Sequence, residues 1–246
     1  MDRLIYTAMS GAKQILEQQA TTSHNLANVS TAGFRAQLDT FRAVPVVSNG
    51  LPTRTFVVDS TVGTDFRAGP IQQTGRTLDL AVQGKGWLAV ERADGTEGYT
   101  RGGSLKLNEN GVLQTEGGLN VLADGGPITI PPNVKISFAK DGTISSVDSG
   151  TTPGATIEIA RLKLVNPDEA NLVRGTDGLF VTKDGQPADV DATVGVISGA
   201  VEGSNVNVVD AMVNMISLAR QFELNMNMLK HAESNAAKAT EFLALS

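Results

Sequence analysis

A few residues in this chain have types and spacing that could do chemistry. Gly84-Lys85-Gly86 sets a lysine between glycines, as a phosphate-cradling loop would, but it lacks both P-loop spacing and a following helical pattern. A β-turn is the better reading. The histidines, His24 and His231, each fall on a terminal helical pattern and could meet across a helix pair. Neither has a cluster of further ligands nearby, so a surface or interface place suits them better than a zinc site. A lytic enzyme would need one carboxyl group with a raised pKa in a cleft and a second beside it. The acids here sit mostly in turns next to glycine, as in Asp94-Gly95, Asp141-Gly142 and Asp184-Gly185, where water keeps them ordinary. A carbohydrate-binding platform would need aromatics, and the chain has one Trp and two Tyr. Trp87 stands inside the apolar run Gly86-Trp87-Leu88-Ala89-Val90, which places it in a core. The chain therefore reads as non-enzymatic, with no catalytic residue, metal site or cofactor.

The elements that would position any site are more informative. Apolar residues recur at alternating steps of three and four at both ends: Met1, Ile5, Ala8, Ala12, Ile15, Gln19, Thr22, Leu26 and Val29, then Val208, Met212, Met215, Ala219, Phe222, Met226, Leu229, Glu233, Ala236, Thr240 and Leu243. That spacing keeps one stripe of a helix against a partner, the geometry of a coiled-coil seam. Gln19, Thr22, Glu233 and Thr240 interrupt the stripes, so a lone helix pair would be weak and further burial must come from other subunits. The first helix is expected over Asp2 to Val29. The second starts at an Asn207 N-cap, with Asp210 three residues on, and runs to Leu245.

Composition bounds the class. The 246 residues are 41% hydrophobic with formal net charge −6, which suits a globular chain and gives no basic cluster for nucleic acid. There are 26 glycines and no cysteines, so turns are many and disulfides absent. No apolar stretch is long enough to cross a bilayer, and Met1 to Ser10 lack the pattern of a cleaved secretory signal.

Between the helices the pattern is β. Residues 34–77 read as an extended connector with one strand at Thr53 to Val58. Residues 78–201 carry short runs at Gly86–Val90, Leu105–Leu107, Val134–Phe138, Thr156–Ile159 and Arg161–Val165. Asp-Gly and Asn-Gly pairs at 94, 110, 124, 141, 177 and 184 separate them, as hairpin turns require. The expected fold is α+β: discontinuous terminal helices, 1–33 and 202–246, paired as a coiled-coil-like layer, with an irregular, mostly antiparallel β domain inserted.

Asn25-Leu26-Ala27-Asn28-Val29-Ser30-Thr31-Ala32-Gly33-Phe34-Arg35 resembles the N-terminal signature of bacterial flagellar rod and hook proteins. Glu202-Gly203-Ser204-Asn205-Val206-Asn207, leading into Ala211-Met212-Val213, is similar to their C-terminal signature. Leu78 to Val82, Gly86-Trp87 and Tyr99-Thr100-Arg101 are similar to their shared β region. Asn25, Leu26, Ala27, Asn28, Gly33, Phe34, Glu202, Gly203, Ser204 and Asn205 are thus the signature candidates. Within the family, the openings Met1 to Ala12 and Phe34 to Pro45 are most like the proximal-rod members, with distal-rod and hook-type paralogues the competing reading.

The resemblance implies a structural subunit that leaves the cell through the flagellar type III export apparatus without a cleaved signal. It would polymerise with itself and other rod proteins into a hollow helical shaft in the periplasm, terminal helices inward and β domain outward, with no nucleic acid and no membrane insertion. Ile5, Ile15, Leu26, Val29, Val208, Met212, Met215, Phe222, Met226 and Leu229 are the expected assembly residues. Phe34 and Leu38, spaced like a short gate-recognition signal, are the candidate export signal.

Overall fold

The computed structural model describes residues 2–45, 55–132, 134–148 and 156–244. The chain is α+β and divides into two compact units. Unit 1 holds 1–29, 36–65 and 206–246; unit 2 holds 30–35 and 66–205.

Unit 1 contains α1 (Asp2–Ala27), α2 (Val208–Ala244) and an antiparallel ribbon of β1 (Gln37–Pro45) and β2 (Thr55–Thr64). The helix α1 packs against α2 and against the ribbon. It ends two residues before the expected Val29, where Asn28 folds back and donates its amide N–H and its side-chain Nδ2 to the His24 carbonyl. The start of α2 follows the sequence reading, because Asn207 Oδ1 accepts from the N–H groups of Val209 (3.0 Å) and Asp210 (3.4 Å).

The connector is where the structure departs most from expectation. Instead of one strand at Thr53 to Val58, it forms a ladder running from Gln37 opposite Thr64 to Pro45 opposite Thr55. Thr53 itself lies outside the described residues. Thr40 pairs with Thr61 and Phe41 with Asp59, so Ser60 is an extra residue, a bulge that breaks the alternation a strand would show in sequence. Two polar clamps fasten this ribbon to α1. Asn25 donates to the Gln37 carbonyl (2.9 Å) and accepts from the Gln37 N–H (2.8 Å), while Thr21 donates to Asp39 (2.8 Å).

Unit 2 is built of short strands whose described pairings are all antiparallel. Its largest sheet has five strands in the order Leu164–Val165, β5 (Trp87–Glu91), β6 (Glu97–Thr100), Phe180–Thr182 and Leu172–Arg174. A three-stranded sheet contains Val134–Phe138, Thr143–Asp148 and Thr156–Arg161. Shorter pairs join β3 (Ile71–Gln73) to Ala200–Glu202 and β4 (Leu80–Gln83) to Gly195–Ser198. The expected run Arg161–Val165 is divided, because the chain changes sheets at Leu162 and Lys163, whose N–H groups donate to Gly142 and Leu122. The glycine-bearing turns form, except that at Asp124-Gly125 it is Gly126 that carries the positive φ, and the turn at Asp184-Gly185 joins no two paired strands. The main core gathers Leu80, Val90, Leu113, Val121, Ile128, Ile144, Leu162 and Val196 from several of these sheets. A second cluster surrounds Trp87, Tyr99, Val165 and Phe180.

Candidate functional site

The signature residues of the two chain ends meet in unit 2 around one carboxylate. Glu202 ends the strand Ala200–Glu202 and is 2% exposed; Arg35 is 1% exposed and Arg101 6%. Arg35 Nη2 donates to Glu202 Oε1 (2.7 Å), which also accepts from the Gly69 N–H (2.9 Å). Arg101 Nη1 donates to Glu202 Oε2 (3.0 Å). Arg101 also reaches the carbonyls of Val82 (3.1 Å) and Gly84 (2.6 Å), tying the group to the end of β4. A buried charge is tolerable only when paired and hydrogen-bonded, and this carboxylate has both kinds of partner. Burial lowers the pKa of Arg101, and Glu202 opposes that shift.

Among the described residues, Nε and Nη1 of Arg35 and Nε of Arg101 have no hydrogen-bond acceptor. Both guanidiniums instead face the Trp87 ring, at 6.0 and 5.4 Å from its centroid, where the negative ring face compensates part of their desolvation. Arg174 repeats the arrangement, 4.7 Å from the Phe34 ring and 5.1 Å from Phe180, and desolvation lowers its pKa. Phe180 packs on Trp87 with its ring tilted, centroids 4.7 Å apart, so cations and rings alternate through this cluster.

Backbone completes the junction. The Gly33 N–H donates to the Glu202 carbonyl (2.7 Å), Gly203 N–H to Pro70 (2.8 Å), and Asn205 N–H to Phe34 (3.3 Å). Asn205 Nδ2 donates to the Arg67 carbonyl (3.0 Å). Gly33 has φ 70°, and a Cβ there would stand 2.2 Å from the Arg101 carbonyl carbon. A Cβ on Gly69 would stand 2.1 Å from the Gly203 oxygen. No side chain fits at either crossing. Of the signature candidates, Gly33, Phe34, Glu202, Gly203, Ser204 and Asn205 converge here, with Ser204 buried. Asn25 serves the ribbon clamp and Asn28 the end of α1, while Leu26 is half-buried and Ala27 exposed. Arg35 and Arg101, quoted above only as parts of motifs, and Gly69 were absent from the candidates. No local pattern singles out the two arginines, since their partner Glu202 lies more than a hundred residues away from each.

The helices of unit 1 divide the expected seam. Ala8, Ala12 and Ile15 of α1 are buried, and Leu26 and Val29 half-buried. The side chain of Ile5 lies outside the described residues. On α2 the shielded stripe is Ala211, Met215, Leu218, Phe222, Asn225, Leu229 and Ala232, in steps of four and three. Met215, Phe222 and Leu229 lie on it. Val208, Met212 and Met226 do not, being 36%, 50% and 37% exposed. Val209, Met212, Val213 and Ile216 form an apolar strip on the far side of α2, each at least half exposed. Phe34 is buried and Leu38 is 47% exposed.

Elsewhere, Gly84-Lys85-Gly86 is the turn between β4 and β5, with Lys85 paired to Glu169 at 3.2 Å. Both histidines are exposed, and among the described residues no group of His and acids could hold a metal. Trp87 is 4% exposed, in the core as expected. The turn acids Asp94, Asp141 and Asp191 have lowered pKa values, chiefly through hydrogen bonds from Thr96, Thr143 and Thr193. That is the opposite of what a general acid requires.

Three family models match the chain: "Flagella basal body rod protein" over 5–35, "Flagellar hook protein FlgE/F/G D1 domain" over 81–146, and "Flagellar basal body rod FlgEFG protein C-terminal" over 197–242. The chain is 46% identical to the flagellar basal-body rod protein FlgF of Escherichia coli and 45% identical to that of Salmonella typhimurium, with 100% of each chain covered. It is 31% identical to the flagellar basal-body rod protein FlgG of Bacillus subtilis, over 93% of this chain and 94% of that one. With its N- and C-terminal signatures joined around Glu202 and this end-to-end likeness, the chain belongs to the flagellar basal-body rod protein family, on the FlgF side of it.

Proposed function

We infer that the protein is a structural, non-enzymatic subunit of the proximal rod of the bacterial flagellar basal body, where it assembles helically with copies of itself and other rod proteins into a hollow drive shaft. The observation that carries this is its likeness to FlgF along the whole of both chains, stronger than its likeness to FlgG. In this reading α1 and α2 form a coiled-coil-like layer toward the inside of the tube and the β domain faces outward. Ile15, Leu26, Met215, Phe222 and Leu229 serve the pairing of the two helices, with Ile5 assigned to the same seam and Val29, just past the end of α1, extending it. Val208, Met212 and Met226 serve neighbouring subunits. An exposed apolar strip is costly to leave wet and supports a face that neighbours cover. Neighbours related by a rotation that does not close yield a filament rather than a ring.

The test is Met212→Glu, with secretion, folding and rod assembly measured separately. A carboxylate there is harmless in the free subunit but would be desolvated between subunits at a cost of several kcal/mol. Folded, secreted protein that builds no rod is expected; normal rods and motility would remove this face from the assembly. We also assign the protein to the type III export route without a cleaved signal, with Phe34 and Leu38 as the recognised pair. Because Phe34 is buried, it can be read only in the unfolded chain. Substituting both by Ala should trap the protein in the cytoplasm, and normal secretion would discard that assignment.

A further inference from the structure

The chain enters or leaves unit 2 at four points: before Ser30, after Arg35, before Phe66 and after Asn205. The segments running to those points are bonded to one another around Glu202. Residues 30–35 are held through Gly33 and Arg35, residues 66–70 through the Gly69 N–H and the Pro70 carbonyl, and residues 202–205 through Glu202 and Asn205. Arg101 then fastens the same carboxylate to β4. No other carboxylate of unit 2, among the described residues, is shared between two arginines in this way.

We propose that the Arg35–Glu202–Arg101 cluster is a mechanical tie: it gathers every chain connection of unit 2 into one buried ion network, so that force arriving along any of them loads this network before it loads the sheets. Separating charges in a dry interior offers no replacement water, so the attraction is steep at short range. A purely apolar junction slides, because burial is non-directional. The attraction of both guanidiniums to the Trp87 ring also resists their leaving the cluster. In a rotating shaft such a tie would keep the chain crossings from pulling apart under torque. That use rests on the rod reading, whereas the measurement below does not, so the two can fail separately.

The chain has no cysteine, so a pair of introduced ones gives unique handles for single-molecule pulling on the full-length protein. Ser30→Cys with Ala68→Cys, both at exposed positions, pulls apart two segments joined through Glu202. Asp124→Cys with Asp184→Cys, also exposed, pulls on a stretch that contains none of Arg35, Arg101 and Glu202. The 30/68 pair should show one high-force rupture in the parent, and Glu202→Gln, which keeps shape and removes charge, should abolish it. The 124/184 rupture should be unchanged. If Trp87 emission shows that Glu202→Gln does not fold, Arg35→Met takes its place, leaving Glu202 paired with Arg101. A parent that lacks the 30/68 event, or a 30/68 force unaltered by these substitutions, overturns the tie.

Discussion

The two units solve the problem of apolar surface in opposite ways. In unit 2, Val90, Leu113, Val121, Ile144 and Val165 are completely shielded from solvent, and exposed large apolar residues such as Ile157 and Val190 are scattered. In unit 1, among the residues whose side chains are described, the buried apolar ones are Ala8, Ala12, Ile15 and Ala211, three of them alanines. Its helices meanwhile expose Tyr6, Met9, Leu16, Val209, Val213, Ile216, Leu224 and Met228. Fully burying a Val, Leu or Ile is worth about 1.5 to 3 kcal/mol, so unit 2 realises that gain within one chain and unit 1 forgoes much of it. A 37-residue helix with a single partner stripe must show most of its circumference to water. One unit is finished as a fold, and the other leaves large apolar side chains in water.

The sharpest way to break this contrast is a pair of leucines of equal size. Leu113→Ala removes a side chain that is 0% exposed in unit 2 and should cost about 2 to 5 kcal/mol in the isolated protein. Leu224→Ala removes one that is 64% exposed on α2 and should change stability by no more than about 0.5 kcal/mol. Urea unfolding followed by Trp87 emission for unit 2 and by far-UV helix signal for unit 1 measures both, since Trp87 is the only tryptophan. A Leu224→Ala loss as large as that of Leu113→Ala would show that α2 is already covered in the free chain, and the contrast would fall.

What was readable from sequence follows the same division. The helices and most short strands were legible because period and turn chemistry are local: Asn207 caps α2, and glycine at positive φ follows Asp94, Asn110, Asp141, Asp177 and Asp184. The face of α2 was legible only in part. Met215, Phe222 and Leu229 fit both the expected stripe and the shielded one, but a helix apolar on two sides supports more than one seam, and sequence alone does not choose. The ribbon of β1 and β2 was missed because the bulge at Ser60 breaks its alternation and Pro45, Gly50 and Pro52 punctuate the region like a loop. The signature residues were found by resemblance, while their chemistry was not. That Arg35 and Arg101 share Glu202 is a contact across more than a hundred residues for one pair and more than a hundred and sixty for the other, beyond the reach of any local pattern.

A smaller effect sharpens the comparison through pH. The Tyr99 phenol lies in the core of unit 2, 1% exposed, and its oxygen accepts from the Ala188 N–H at 2.7 Å. Burial raises its pKa from 10.0 to about 12, outweighing the Ala188 hydrogen bond, which acts in the other direction. The neutral form is therefore favoured in the folded state. Its contribution to stability is whole below pH 10, where the unfolded chain also keeps the proton, and is lost as pH rises through about 12. Trp87-monitored unfolding should show unit 2 weakening across that window, and Tyr99→Phe should start from lower stability, having lost the acceptor for Ala188, but decline less steeply. The helix signal of unit 1 should not distinguish the variant from the parent. Parallel declines in parent and Tyr99→Phe would mean that Tyr99 is not the group responsible, and a variant effect on the helix signal would mean that the two units do not respond separately.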